Sequence, residues 1–387
     1  MDAARWSAIR DNAPRVLGGF WIAAVVVASV QATAQHNNNF EIFRWSWSNL
    51  VAGRSLYAPS AHHRDLFLYS PTFALLFAPF AVVPFWLGAL LWNAVNAGAL
   101  YWALGRTLTS DQAFAARAIV FLDTVGSMQN VQSNALVAGL MIITFAELER
   151  RHEGRASLAV ATATAIKIFP IVAAVFAVFR PWRFPRFALY SVLAGGLCLV
   201  APLLVTPPPV LLDQFRSWMT TGVAVSVQRN YSVMQHVHLW LRVDWPNWPV
   251  QLAGACVLLA PLVRYSDWGI LRFRLLFLAS VLMFCVLFNH KAESPSFVIA
   301  VAGVAIWFAI SDRDRFAWTV LAIVFVGTVV SSSEAMPAVL RHDVFQAYKL
   351  KTLPILLVWV LTQVALWRRI VSAPRPAASV DPAALAT

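Results

Sequence analysis

The chain reads as an all-α polytopic membrane protein: a bundle of about ten spans plus a broken helical hairpin and a re-entrant segment. Three observations point there. Hydrophobic residues make up 59% of the 387 and charged residues only 12%, where a soluble chain carries about a quarter. The apolar residues gather in runs of roughly 15 to 20, the length that crosses a hydrocarbon core. The alternating pattern of a β-barrel is missing, so helices must satisfy the backbone inside lipid.

The runs fall at 16–34, 86–106, 112–127, 133–148, 187–205, 248–264, 270–288, 296–311, 316–332 and 353–369. Arg5, Arg10 and Arg15 precede the first and keep the N-terminus in the cytoplasm by the positive-inside rule. That basic start and the ATA at 32–34 also resemble a signal peptide, but the stretch from Val16 is long enough to span and is read as an uncleaved helix. Segment 71–84 is read as re-entrant or interfacial, because a full crossing would put ERRHEGR (149–155) outside. Segment 156–180 lies between ERRHEGR and RPWRFPR (180–186), and both flanks require the same side. A hairpin broken at KIFP satisfies both. Pro170 weakens the helix, each arm is about 18 Å long, and Lys167 lies near the apex.

With these assignments both termini are cytoplasmic, together with Arg264, Arg272, Arg274, Arg313, Arg315, Arg368 and Arg369. The loops 35–70, 128–132, 206–247, 289–295 and 333–352 are external. Residues 1–371 form a single integral membrane domain, whose external loops 35–70 and 206–247 are too long to be simple connectors. The Pro- and Ala-rich tail 372–387 is expected to be disordered.

The net charge of +12 does not indicate nucleic acid, because the basic residues sit in short clusters between apolar runs, where they set topology. Cys198, Cys256 and Cys285 all lie in apolar segments and read as packing residues. His62–His63 and His236–His238 lack HExxH or Cys-rich spacing, so neither a metal nor a cofactor is expected. There is no P-loop and no GxGxxG, which argues against a nucleotide-driven pump.

The unusual polar groups fall on the external side. They include the acids Glu41, Asp65, Asp123, Asp213, Asp244, Glu293, Glu334 and Asp343. Asp123 and Lys167 lie within apolar stretches, where a charge is costly. Each either pairs with an opposite charge, an Asp–Lys pair being the plain structural reading, or faces a wet cavity. Lys167, Arg229, His290 and Lys291 are candidates for holding an anion, Arg through a fork and Lys as a point charge. The amides and hydroxyl of QNVQSN (129–134) suit sugar hydroxyls or helix capping.

Several stretches resemble one family in order and spacing. NNNFEIFRWSWSNLVAGRSLYAPS and DLFLYSPTFALLFAPFAVVPFWLGALLWNAVNAGAL are followed by QSNALVAGL, AIKIFPIVA, QRNYSVM and FNHKAESPSF. Together, over residues 35–365, they resemble the polyprenyl-phosphate-sugar-dependent glycosyltransferases of the GT-C superfamily, nearest to glycosyltransferase family 87 and its bacterial mannosyltransferases. The resemblance implies a multispan enzyme of the bacterial cytoplasmic membrane with its site facing outward. It would pass a sugar, most often mannose, from a polyprenyl phosphate to a lipid or glycan acceptor, by single displacement with inversion.

A carboxylate in the first external loop would be the general base. The family often carries an Asp in a pattern like Asp-x-x-x-Tyr, and Asn39 stands in the matching place here. The role then falls to Asp65 or, second, to Glu41. Lys167, His290, Lys291 and Arg229 would hold the donor phosphate. Asn38, Asn39, Tyr69, Gln132, Asn134, Asn230 and Glu293 would contact sugar or acceptor. In this reading NHKAES (289–294) is the rim of the phosphate site; otherwise Lys291 and Glu293 are a solvated pair. Membrane lipids are the other expected partner. The competing readings are a transporter or flippase for an anionic lipid or solute, which the broken hairpin would suit, and a non-catalytic scaffold for envelope polysaccharide.

Overall fold

The computed structural model describes residues 3–224, 229–332 and 336–368. Glu334 and the tail 372–387 lie outside the described residues. Among the described residues there is no β-strand, only an isolated bridge between Ser60 and His63.

Sixteen α-helices follow in order among the described residues. They are α1 Ala3–Ala34, α2 Asn38–Val51, α3 Pro71–Leu76, α4 Ala78–Ala81, α5 Phe85–Thr107, α6 Ser110–Gln129, α7 Asn134–Glu149 and α8 Glu153–Ile166. Then come α9 Phe184–Val200, α10 Pro208–Ala224, α11 Val233–Leu241, α12 Asn247–Leu259, α13 Leu271–Leu287, α14 Phe297–Ala309, α15 Arg315–Val324 and α16 Thr352–Trp367. Each predicted apolar run coincides with one of them. Three continuous helical stretches, Asn12–Ala34, Pro181–Leu204 and Arg315–Ser332, are long and apolar enough to cross a membrane.

α13 and α14 are apolar all round and almost wholly buried, so they form the centre of the bundle. α9 buries only Phe187 and presents Leu189, Val192, Leu193 and Leu197 outward, which suits lipid and not water. Gly139 brings α7 close to α5. A Cβ there would stand 2.8 Å from the Ala99 carbonyl carbon, so a larger residue would force the helices apart.

Segment 71–84 is too short to cross. α3 and α4 end within eleven residues of Pro71, about 16 Å of helix against a core of about 30 Å. Edge-to-face contacts of Phe43 with Phe73 and Phe77, at centroid separations of 5.0 and 5.2 Å, pack this segment under α2.

The hairpin is present and breaks within KIFP, at Lys167, ahead of Pro170. α8 ends at Ile166, Lys167 is extended (φ −140°, ψ 144°), and a 3₁₀ helix then runs over Phe169–Phe179. The physical reason lies four residues back from the proline. A helix through Pro170 would need its missing N–H to bond the Ile166 carbonyl, and the ring would collide with that oxygen. Pro170 is instead taken up in the first turn of the next helix.

The second arm returns to the start of the first. Arg180 pairs with Glu149 at 3.4 Å and Arg183 with Glu153 at 2.5 Å. The basic flanks 149–155 and 180–186 therefore share one end of the bundle. Other ion pairs staple the same end: Arg274 grips Glu149 through two nitrogens at 2.8 and 2.7 Å, Arg106 holds Glu147 at 2.9 Å, and Arg313 holds Asp111 at 2.9 Å.

Candidate active site at the turn-built end

The opposite end is made of chain reversals. The first is the turn at 129–134 between α6 and α7. Val131 sits there at φ 51°, a left-handed conformation that costs a β-branched residue about 1–3 kcal/mol. The Trp92 indole secures it by donating to the Val131 carbonyl at 3.2 Å.

This turn holds two groups of candidate residues. On one side its carbonyls receive α2: Asn37 Nδ2 donates to Gln129 at 3.2 Å and Asn39 Nδ2 to Asn130 at 2.8 Å. The Asn37 side chain also caps α2 by accepting from the N–H groups of Asn39 and Phe40. Asn39 is therefore a donor to a carbonyl, a task no carboxylate can perform.

Along α2 from that point, Asn38 Nδ2 donates to Asp65 Oδ2 at 2.8 Å, and its Oδ1 accepts from the Arg64 N–H at 2.8 Å. His62 stacks on Trp45 at 3.9 Å. Asn38, Glu41 and Trp45 are spaced three and four residues apart and share a helix face, so the half-buried Glu41 lies between the two points where the 62–65 loop touches α2. Asp65 is exposed.

On the other side of the turn, Gln132 Oε1 accepts from the Tyr69 hydroxyl at 3.2 Å, and Asn134 Oδ1 accepts from Lys167 Nζ at 2.6 Å. The Lys167 ammonium lies 5.6 Å from the Tyr69 ring centroid. Ser70 donates to the Ala165 carbonyl, tying the entry of α3 to the end of α8 beside Lys167. Asn134 Nδ2 is buried with no partner among the described residues. Burial pushes the Tyr69 phenol well above its ordinary pKa, and the Glu293 carboxylate adds to the rise.

The stretch 289–296 closes this region. Asn289 Oδ1 accepts from the Lys291 N–H at 2.9 Å, and the Ala292 carbonyl accepts from the Tyr231 N–H at 3.0 Å. The second bond brings Asn230, at φ 35°, beside the loop. His290 and Lys291 are half-buried. Burial lowers the pKa of both, and for His290 the neighbouring Lys291 charge lowers it further. His290 Nε2 has no partner among the described residues. Glu293 and Ser296 form a reciprocal cap at the next helical turn.

One expectation changes. Asp123 and Lys167 do not pair with each other: Asp123 faces Lys351 at 4.0 Å, and Lys167 rests on Asn134. The turn residues Gln132 and Asn134 hold protein groups in this state. Arg229 is engaged elsewhere in its loop, with Asp244 and the Trp245 carbonyl. Lys351 was not singled out from sequence. Its one signal was a lysine two residues ahead of the last apolar run on the polar-loop side. Among the described residues no group of His, Cys, Asp and Glu is arranged to hold a metal.

No curated protein matches the chain. A profile of glycosyltransferase family 87 matches residues 67–333, which include Tyr69, Gln132, Asn134, Lys167, Arg229, Asn230, His290, Lys291 and Glu293. Asn38, Asn39, Glu41 and Asp65 precede the matched range. With more than two thirds of its length covered and an all-helical, membrane-spanning architecture, the chain belongs to glycosyltransferase family 87.

Proposed function

We propose that this glycosyltransferase takes its sugar, mannose first among the candidates, from a polyprenyl-phosphate donor. The acceptor is a lipid or glycan at the outer face of a bacterial cytoplasmic membrane. The observation that carries this reading is Lys167. It is a cation at a helix break that rests on a neutral amide and has no ion-pair partner among the described residues, at the same end of the bundle as the exposed Asp65.

The chemistry follows from those two charges. The acceptor hydroxyl attacks the anomeric carbon from the face opposite the phosphate, while Asp65, or Glu41 in its place, takes the hydroxyl proton. The new C–O bond forms as the bond to the phosphate oxygen breaks, which inverts the anomeric centre. The departing polyprenyl phosphate gains a second negative charge. Lys167, His290 and Lys291 stabilise that charge as it develops, and Arg229 serves the rim only if it leaves Asp244. Tyr69, Gln132, Asn134, Asn38, Asn39, Asn230 and Glu293 orient sugar and acceptor. No metal or cofactor enters the scheme.

The break at Lys167 also favours a second reading, a transporter or flippase for an anionic lipid. Against it, the carboxylates Asp111, Glu147, Glu149 and Glu153 at the other end are all engaged in ion pairs, whereas alternating access needs a polar site open to both sides. Transfer from radiolabelled polyprenyl-phosphate-mannose to an envelope extract tests the proposal. Labelled product from wild type and none from Asp65→Asn supports it. Label moved across a liposome membrane without a new glycoside supports the transporter.

A further inference from the structure

A second polar feature lies at the other end of α6 from Asp123, where α1, α5 and α6 meet. A cavity of about 280 Å³ opens there, its lining including Pro14, Tyr101, Gly105, Ser110, Phe114 and Arg117. Arg117 sits two turns into α6 among apolar residues, a depth at which membrane proteins seldom leave a charge without a partner. Its guanidinium carbon lies 3.7 Å from the Tyr101 ring centroid, and Nε donates to the Tyr101 carbonyl at 3.0 Å.

Among the described side chains, which begin at Asn12, neither terminal nitrogen of Arg117 has a hydrogen-bond or ion-pair partner. The contrast with its neighbours is sharp, since Arg106, Arg180, Arg183, Arg274 and Arg313 at this end each hold a carboxylate. Gly105 makes the arrangement possible. A Cβ at that position would stand 2.0 Å from Arg117 Nη2, so the guanidinium occupies the room that any other side chain would fill. It is thereby held level with the last turn of α5, at the height of the helix ends. Ser110, the first residue of α6, adds a hydroxyl and the positive end of a helix to the same cavity.

We propose that this cavity binds a phosphate group, gripped by the two terminal nitrogens of Arg117, with a phospholipid headgroup or free phosphate as its source. Two terminal N–H groups in fork geometry match two phosphate oxygens, which a lysine cannot do. The volume, just below the ~300–1,000 Å³ of pockets for drug-sized ligands, suits a phosphate or a small phosphate-bearing headgroup. Pro14 and Phe114 supply apolar wall beside the charge, against which the acyl end of a lipid can lie.

The test is native mass spectrometry of the purified full chain, titrated with dioleoyl phosphatidic acid and then challenged with inorganic phosphate. Wild type, Arg117→Met, Arg117→Lys and Gly105→Ala are compared, each checked for a monodisperse, helical state. Wild type is expected to hold the lipid at least about tenfold more tightly than Arg117→Met, with Arg117→Lys between them. Gly105→Ala, which displaces the guanidinium without removing it, is expected to lose the same affinity. Displacement by inorganic phosphate identifies the phosphate alone as the ligand, and lipid that resists it identifies the headgroup with its chains. Equal retention by wild type and every folded variant would overturn the proposal.

Discussion

Lys351 and Ser294 meet across 57 residues of chain. The lysine ammonium lies 3.0 Å from the Ser294 hydroxyl and beneath it faces the buried Asp123 carboxylate at 4.0 Å. One buried cation thus joins α6, the 289–296 turn and the start of α16. The Phe297 ring, 4.9 Å from the ammonium, closes the other side. The turn that carries His290, Lys291 and Glu293 is therefore fastened by a buried charge outside the turn itself.

Removing that fastening should cost stability first. Lys351→Met leaves Asp123 buried without its cation and is expected to destabilise the protein by about 3 kcal/mol. Adding Asp123→Asn should return part of the loss, because the stranded charge is gone. Thermal unfolding in detergent measures both. A double variant no more stable than the single one would show that the pair is not coupled.

The general base separates by substitution. Asp65→Asn should lower turnover by about 10²–10⁴ while donor affinity holds, the range expected for lost proton transfer. Glu41→Gln, with its carboxylate one turn along the same face of α2, is the matched comparison. Full turnover in Asp65→Asn with loss in Glu41→Gln would move the base to Glu41.

Asn39→Asp supplies the carboxylate that the sequence resemblance expects at this position, yet it should not restore activity to Asp65→Asn. The new carboxylate would confront the Asn130 carbonyl where an amide now donates, at a cost of about 1–3 kcal/mol. A lower melting temperature with no gain in transfer is the expected outcome. A gain in transfer would place the base at position 39.

His290 gives a pH dependence with a definite sign. Its folded pKa lies below the unfolded value of about 6.5, so between the two the unfolded chain binds more protons. Its contribution to stability is full above about pH 6.5 and is lost as pH falls through the folded pKa. His236, buried and shifted the same way, adds a parallel slope. His290→Gln should flatten the fall in melting temperature between pH 7.5 and 5.5, and more so with His236→Gln. An unchanged slope in both would mean the imidazoles titrate freely.

Orientation can be read by labelling. In a cysteine-free background, Ser294→Cys should react with an impermeant thiol reagent added outside intact cells. Protection from outside and labelling only after lysis would reverse the proposed facing of the turn-built end.

Most of the helical framework could be read from the sequence because it rests on local pattern. Apolar runs mark helices without reference to anything distant, and the clustered arginines mark the shared end of 149–155 and 180–186. Pro170 marked the hairpin, though its influence falls on the carbonyl four residues earlier, so the break is at Lys167. The site was legible as a set of residue types and not as a geometry. Lys351 lies 57 residues from Ser294 and 228 from Asp123, and nothing in its surroundings distinguishes it from a loop lysine. Asn39 looked like a lost catalytic acid because its real duty, a bond to the backbone of Asn130, depends on a turn 91 residues away.

The two ends of the bundle are held by different means, and that has a consequence for how such an enzyme can diversify. At one end Arg274, Glu149, Arg180, Glu153 and Arg183 lock helix to helix, so a change in any of them is felt by the whole framework. At the other, the turns at 129–134 and 289–296 and the hairpin tip at Lys167 are held by hydrogen bonds among a few residues, with Lys351 and Asp123 beneath the second. On the proposed assignment, specificity is set by short reversals of chain, and variation there leaves the ion-paired end of the bundle untouched.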